Sequence, residues 1–154
     1  MPSKSLENSS TRLLISEILR KVSNAKTKKE KIGILRENNS PALRMLMIWN
    51  FDDSAKSAIP EGDVPYTPND APAGTDHTRL DHEYRGLYRF FKGGDSSIKG
   101  MRREQMFVQL LEGLHVDEAN LLVSACNKDL QSKYRITKQA VSEAFPSIEW
   151  GNRG

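Results

Sequence analysis

Cysteine is almost missing from this chain. Cys126 stands alone in 154 residues, which excludes an intrachain disulfide and any zinc site built on cysteine thiolates. Long apolar runs are missing too. No stretch reaches the ~18 apolar residues that a spanning helix needs, and Met1-Pro2-Ser3-Lys4-Ser5-Leu6 lacks the apolar centre of an export signal. The expected setting is therefore cytoplasmic and reducing, with no membrane partner. Strand-like alternation is absent over any useful length. No phosphate-cradling glycine loop is present: Lys92-Gly93-Gly94-Asp95-Ser96-Ser97 has the wrong spacing and follows a helical pattern rather than a strand.

What remains is helical periodicity. Leu14, Ile15, Ile18, Leu19 and Val22 form a stripe behind Ser9 and Ser10, the expected caps. Thr27-Lys28-Lys29-Glu30 has capping-box spacing and opens a helix that buries Ile32 and Leu35 and stops at Asn38-Asn39. Ser40-Pro41 starts the next helix, because proline at the first helical position loses no useful hydrogen bond. Leu43 to Trp49 is apolar nearly all round, which predicts a central buried helix. Leu80, Tyr84, Leu87, Tyr88 and Phe91 resume the period, and Gly93-Gly94 ends it. Met101, Val108, Leu111 and Leu114 form one later stripe, and Leu121, Leu122 and Ala125 another. Thr137 caps a last short helix that holds Val141, Ala144 and Phe145 and stops at Pro146.

These patterns predict one all-α domain over residues 1–154, of about seven helices. Its expected core includes Leu43, Leu46, Trp49, Leu87, Phe91, Phe107, Leu111, Leu122 and Val141. Residues 52–76 break the pattern. Pro60, Pro65, Pro68 and Pro72 recur there, with Asp52, Asp53, Glu61, Asp63, Asp70 and Asp76 against Lys56. The stretch reads as a proline-rich, acidic surface loop inside the domain.

Catalytic arrangements are not apparent. His77 and His82 are five residues apart, a poor fit to the i, i+4 spacing of ligands on one helical face, so no metal is expected. His115 falls at a helix junction and reads as a cap, and Cys126 as an inert small hydrophobe. Nothing assembles a nucleophile, a base and an orienting group, so the chain is expected not to be an enzyme and to need no cofactor. The cations, in contrast, cluster. Lys26, Lys28, Lys29 and Lys31 form one group, Lys92, Lys99, Arg102 and Arg103 a second, and Lys128, Lys133, Arg135 and Lys138 a third. Ser132 and the amides near Thr137 give the third group a setting suited to phosphate.

Three stretches carry a resemblance. They are Ile15 to Leu35 with its Thr27-Lys28-Lys29 turn; Met106 to Leu114 followed by Ala119 to Leu130, closing on Asp129-Leu130; and Ser132-Lys133-Tyr134-Arg135-Ile136-Thr137-Lys138 with its following helix and Phe145-Pro146. In order and spacing they resemble the N-terminal DNA-binding domain of ATP-dependent DNA ligases, especially those of large tailed bacteriophages. The resemblance covers roughly residues 12–150 apart from the proline-rich stretch. It implies a curved helical domain that holds double-stranded DNA across the minor groove, largely through the sugar-phosphate backbone, in the cytoplasm of an infected host. Carried over by position, Lys133 and Arg135 are the groove-facing cations, Ser132 stands beside them, and Lys138 opens the next helix. Lys28 and Lys29 are further backbone contacts. The Lys-x-Asp-Gly motif of the adenylated lysine does not occur, nor do nucleotidyltransferase or OB-fold segments, so the expected module is non-catalytic and works in phage DNA replication, repair or recombination.

The alternative expectation is a helical adaptor on a replication or transcription protein, without DNA. Its anchors are an exposed Val64 and Tyr66 on the proline-rich loop and the Trp150 tail.

Overall fold

Thr27 begins its helix as its spacing predicts, with its hydroxyl accepting from the amide of Glu30 at 3.1 Å. Ser40 accepts from Leu43 and Thr137 from Ala140, each at 3.1 Å and each three residues along. A computed structural model describes residues 13–59, 65–68 and 78–151. Its helices are α1 (Ile15–Asn24), α2 (Lys28–Glu37), α3 (Pro41–Phe51), α4 (Leu80–Glu83), a 3-10 helix (Tyr84–Phe90), α5 (Gly100–Gly113), α6 (Val116–Cys126), α7 (Leu130–Tyr134) and α8 (Lys138–Ala144). The fold is all-α, with one more α-helix than the expected seven and no strand among the described residues; pairing is limited to the isolated bridges Ser57–Phe91 and Thr78–Leu114.

The central helix is α3, where Leu43, Leu46, Met47 and Trp49 are fully buried. It packs against α6, α4 and the 3-10 helix, while α2 packs between α1 and α8. Phe90 meets Phe107 edge-on with ring centroids 5.1 Å apart, and Trp49 meets Phe91 edge-on at 4.0 Å. Ser9 and Ser10 lie outside the described residues. The cap position of α1 is taken by Leu14, and its first amide finds a distant acceptor instead.

That acceptor is Glu118. Its buried carboxylate takes the amide of Ile15 on one oxygen and the amide of Leu80 on the other, both at 3.0 Å. One side chain of α6 thus satisfies the first amides of α1 and α4, whose own N-cap side chains, Leu14 and Arg79, make no capping hydrogen bond. Asn50 does the same for α7, accepting from Leu130 at 3.0 Å and donating to Gln131.

The structure corrects four expectations. First, the segment after α4 runs as a 3-10 helix. Three residues per turn put Tyr84, Leu87 and Phe90 on one side; Leu87 and Phe90 are buried, Phe91 is only partly covered, and Tyr88 turns outward. Second, Met101 is 76% exposed and not part of the α5 stripe. Third, the start of the presumed surface loop is packed. Asp52, Ala55 and Ile59 are buried, the Asp52 carboxylate accepts from Ser54 and Gly151, and residues 56–58 pair with 90–92 through Ala58–Phe90 and Lys92–Lys56 hydrogen bonds. Fourth, Tyr66 is half-buried against the core rather than free.

Candidate functional site

The first and third basic groups lie about a hundred residues apart, yet α2 and α8 pack side by side. Lys31 makes the join, its ammonium donating to the Arg135 carbonyl at 2.6 Å. Arg36 makes a second, donating to the Glu143 carbonyl at 2.8 Å. The start of α2, with exposed Lys26, Lys28 and Lys29, is therefore fixed against the helix that follows exposed Lys133, Arg135 and Lys138.

The turn between α7 and α8 is built around two opposed demands. Ile136 is buried, 1% exposed, and anchors the turn to the core, while its neighbours Arg135 and Thr137 face outward. Arg135 achieves this in a left-handed backbone conformation, φ 54° and ψ 43°, one that residues other than glycine seldom adopt.

Several expected contacts are already engaged within the chain. The Ser132 hydroxyl donates to the carbonyl and the carboxylate of Asp129. Lys28 is ion-paired with Glu143. The Lys138 ammonium lies 5.0 Å from the centroid of the Trp150 ring, and the indole N–H of Trp150 donates to Ser142 at 3.1 Å. On this edge the side chains of Lys26, Lys29, Lys133 and Arg135 carry no ion pair among the described residues and are not otherwise engaged.

Lys128 leaves the third group altogether. Its ammonium donates to the carbonyls of Trp49, Asp52 and Ala55 at 2.7, 2.9 and 2.9 Å, closing the C-terminal end of α3. Burial pulls its pKa down, and Asp53 and Asp52 push back against that. Arg103 leaves the second group likewise, donating to the carbonyls of Arg89, Asp95 and Ile98 at 2.8 to 3.0 Å. Both are cations that hold loops by their carbonyls, a role that charge clustering alone does not reveal.

His115 caps α6, its Nδ1 accepting from Asp117 at 3.1 Å. Burial pushes the Cys126 thiol up to about 12, far from the thiolate that chemistry would need. His77 and Val64 lie outside the described residues. Tyr66 donates to the Asn120 side chain at 2.9 Å, and the Thr67 amide to Glu112, so this part of the loop lies down on α5 and α6. Among the described residues no three His, Cys, Asp or Glu side chains group to hold a metal ion, and no helix is long and apolar enough to cross a membrane.

The fold and this surface define a small all-helical protein with a composite basic edge. The chain belongs to a family of unknown function, DUF6433, whose model matches residues 18–132. The matched range runs from within α1 to the first residues of α7 and ends just before Lys133. No curated protein and no solved structure matches the chain.

Proposed function

We propose that this chain is a non-catalytic module that binds duplex DNA, touching the minor groove and the sugar-phosphate backbone, in phage DNA replication, repair or recombination. The observation that carries the reading is the Lys31–Arg135 hydrogen bond, which makes one edge of two basic segments distant in sequence. If the resemblance to ligase DNA-binding domains holds, Lys133 and Arg135 are its groove-facing cations; the exposure of both side chains supports that reading. Lys29 and Lys26 extend the edge along the start of α2. Lys28 and Lys138 would exchange Glu143 and the Trp150 ring for phosphate, so each adds less. Cations arranged this way follow a backbone without reading bases.

The adaptor reading draws less support, because Tyr66 and Trp150, its two described anchors, are half-buried and hydrogen-bonded.

Fluorescence anisotropy with intact and nicked duplexes at low and moderate salt tests the proposal. Binding should weaken steeply with salt, and Lys133→Ala or Arg135→Ala should each lower the slope of log K against log salt by about 1. Preference for the nicked duplex points to repair. Absence of binding at low salt, or a slope untouched by both substitutions, overturns the reading.

A further inference from the structure

A second strongly basic stretch lies away from the edge described above. Residues 84–103 hold six of the 23 cations and one of the 20 carboxylates, Asp95. That excess of five exceeds the excess of three for the whole chain, so the rest of the sequence is net acidic. Arg103 is occupied with three carbonyls, which leaves Arg85, Arg89, Lys92, Lys99 and Arg102 exposed, with no carboxylate paired to any of them among the described residues. Asp95 turns to Ser97, and the nearby positive charges of Arg103 and Arg89 add to the lowering of its pKa.

The same surface carries exposed apolar area. Tyr88, 41% exposed, and Met101, 76% exposed, are the large apolar side chains that the described fold leaves outside. The 3-10 helix alternates aromatic rings with charge: Arg85 stands 5.7 Å from the Tyr84 ring centroid and Arg89 5.6 Å from that of Tyr88. Arg89 and Arg102 line a common groove of about 350 Å³ with Gly86, Phe90 and Gln109, and Glu83 at one side.

The support under Tyr88 is stiff. Gly93 has φ +82°, and a Cβ on Gly94 would lie 1.8 Å from the Tyr88 carbonyl oxygen, so only glycine fits beneath that carbonyl. Arg103 ties the Arg89 carbonyl to α5 at 2.9 Å. An aromatic ring turned outward from a constrained backbone, among arginines, offers a stacking face for unpaired bases beside contacts for their phosphates. Duplex DNA, with its bases already stacked, has no use for such a ring.

We infer that the surface formed by the 3-10 helix and the start of α5 binds single-stranded nucleic acid, with Tyr88 stacking on a base and Arg85, Arg89, Lys92, Lys99 and Arg102 contacting the backbone. It is separate from the proposed duplex edge: the 3-10 helix packs against α3, α4 and α5, whereas α2 packs against α1 and α8. The inference therefore does not rest on the duplex reading.

The test is anisotropy of labelled oligo(dT) and oligo(rU) with the full-length chain at two salt concentrations, with circular dichroism confirming that each variant is folded. Tyr88→Ala should weaken oligo(dT) binding ~10-fold while Tyr88→Phe retains it, since stacking needs the ring and not the hydroxyl. The double variant Arg85→Gln/Arg102→Gln should reduce the salt slope by roughly 1.4, about 0.7 per lost phosphate contact on a single strand. Lys133→Ala/Arg135→Ala should leave oligo(dT) affinity within ~2-fold. Comparable binding of both oligomers extends the inference to RNA, and preference for oligo(dT) confines it to DNA. No binding at low salt overturns it, as does binding indifferent to Tyr88→Ala, which would reduce the surface to plain charge. Loss of oligo(dT) binding on Lys133→Ala/Arg135→Ala alone would move the single strand to the other edge and also overturn it.

Discussion

Lys31 and Arg135 meet across 104 residues of sequence, the ammonium of one on the backbone carbonyl of the other at 2.6 Å. The contact uses the peptide of Arg135 and not its guanidinium, so it fixes where the side chain starts without neutralising it. Lys31 is thus a positioning residue for the basic turn. Lys31→Met removes one solvent-accessible hydrogen bond, a loss of about 0.5–1 kcal/mol in stability. Duplex affinity should fall by more than that figure, because Arg135 and Lys133 then lose a fixed relation to the start of α2. Urea unfolding and duplex anisotropy on the same variant check the pair of outcomes. Equal losses in both would reduce Lys31 to an ordinary stabilising contact.

The backbone of Arg135 separates stability from binding. At φ 54° any side chain with a Cβ is held at a cost of about 1 kcal/mol, and glycine is not. Arg135→Gly should therefore unfold at a higher temperature than Arg135→Ala, although both lack the guanidinium and should bind duplex DNA equally weakly. Thermal melts beside anisotropy decide the matter. A glycine variant less stable than the alanine variant would mean that the left-handed turn is not where the strain lies.

Local signals were readable in the sequence and remote ones were not. Thr27, Ser40 and Thr137 cap helices through contacts three residues along, so their spacing alone announced them. Glu118 and Asn50 cap helices that begin 103 and 80 residues away, and nothing in a linear pattern marks them. The same limit applies to the site. Lys133 and Arg135 stand out in the sequence by the clustering of their charges, whereas the join through Lys31 exists only after α2 and α8 pack. Lys128 and Arg103 counted as surface charge in the sequence because a lysine or arginine that grips carbonyls looks the same as one in solvent. Tyr88 was misplaced for another reason: its i, i+4 relation to Tyr84 suggested a core face, and the tighter 3-10 winding turned the ring out.

Lys128 should behave as a structural residue. Its three carbonyl acceptors lie at the end of α3 and the loop beyond it, where unsatisfied carbonyls gather and a cation is favoured. Lys128→Met keeps the aliphatic stem and removes the charge, and should destabilise by about 2–3 kcal/mol. Duplex affinity of the folded variant should stay near that of the parent chain. Chemical denaturation gives the first quantity and anisotropy at a temperature well below the melt gives the second. A large loss of affinity with unchanged stability would return Lys128 to the basic edge.

Cys126 offers a probe of the same core. With its thiol pushed up to about 12 by burial, the thiolate is scarce at pH 8 and the native chain should react with a thiol-specific reagent many times more slowly than the unfolded chain. Labelling against urea should then follow the unfolding transition seen by circular dichroism. Fast labelling in the absence of denaturant would show that the end of α6 opens on its own.

Glu118 carries the pH dependence. Burial raises its pKa above the ordinary value of 4.5, and the amides of Leu80 and Ile15 restrain that rise without cancelling it. The folded chain therefore binds a proton at Glu118 more readily than the unfolded chain does. In the window above 4.5 the unfolded state holds fewer protons at this site, so its contribution to stability falls as pH rises through the folded value and is complete below the unfolded one. Glu118→Gln removes this term and leaves one amide oxygen to serve two N–H donors, so it should cost about 1–2 kcal/mol at neutral pH. The gap between parent and variant should then widen as pH drops from 7 toward 5, since only the parent gains. Urea titrations at the two pH values measure it, and a gap that narrows on acidification would mean that Glu118 is held as a carboxylate more firmly in the folded chain than in the unfolded one.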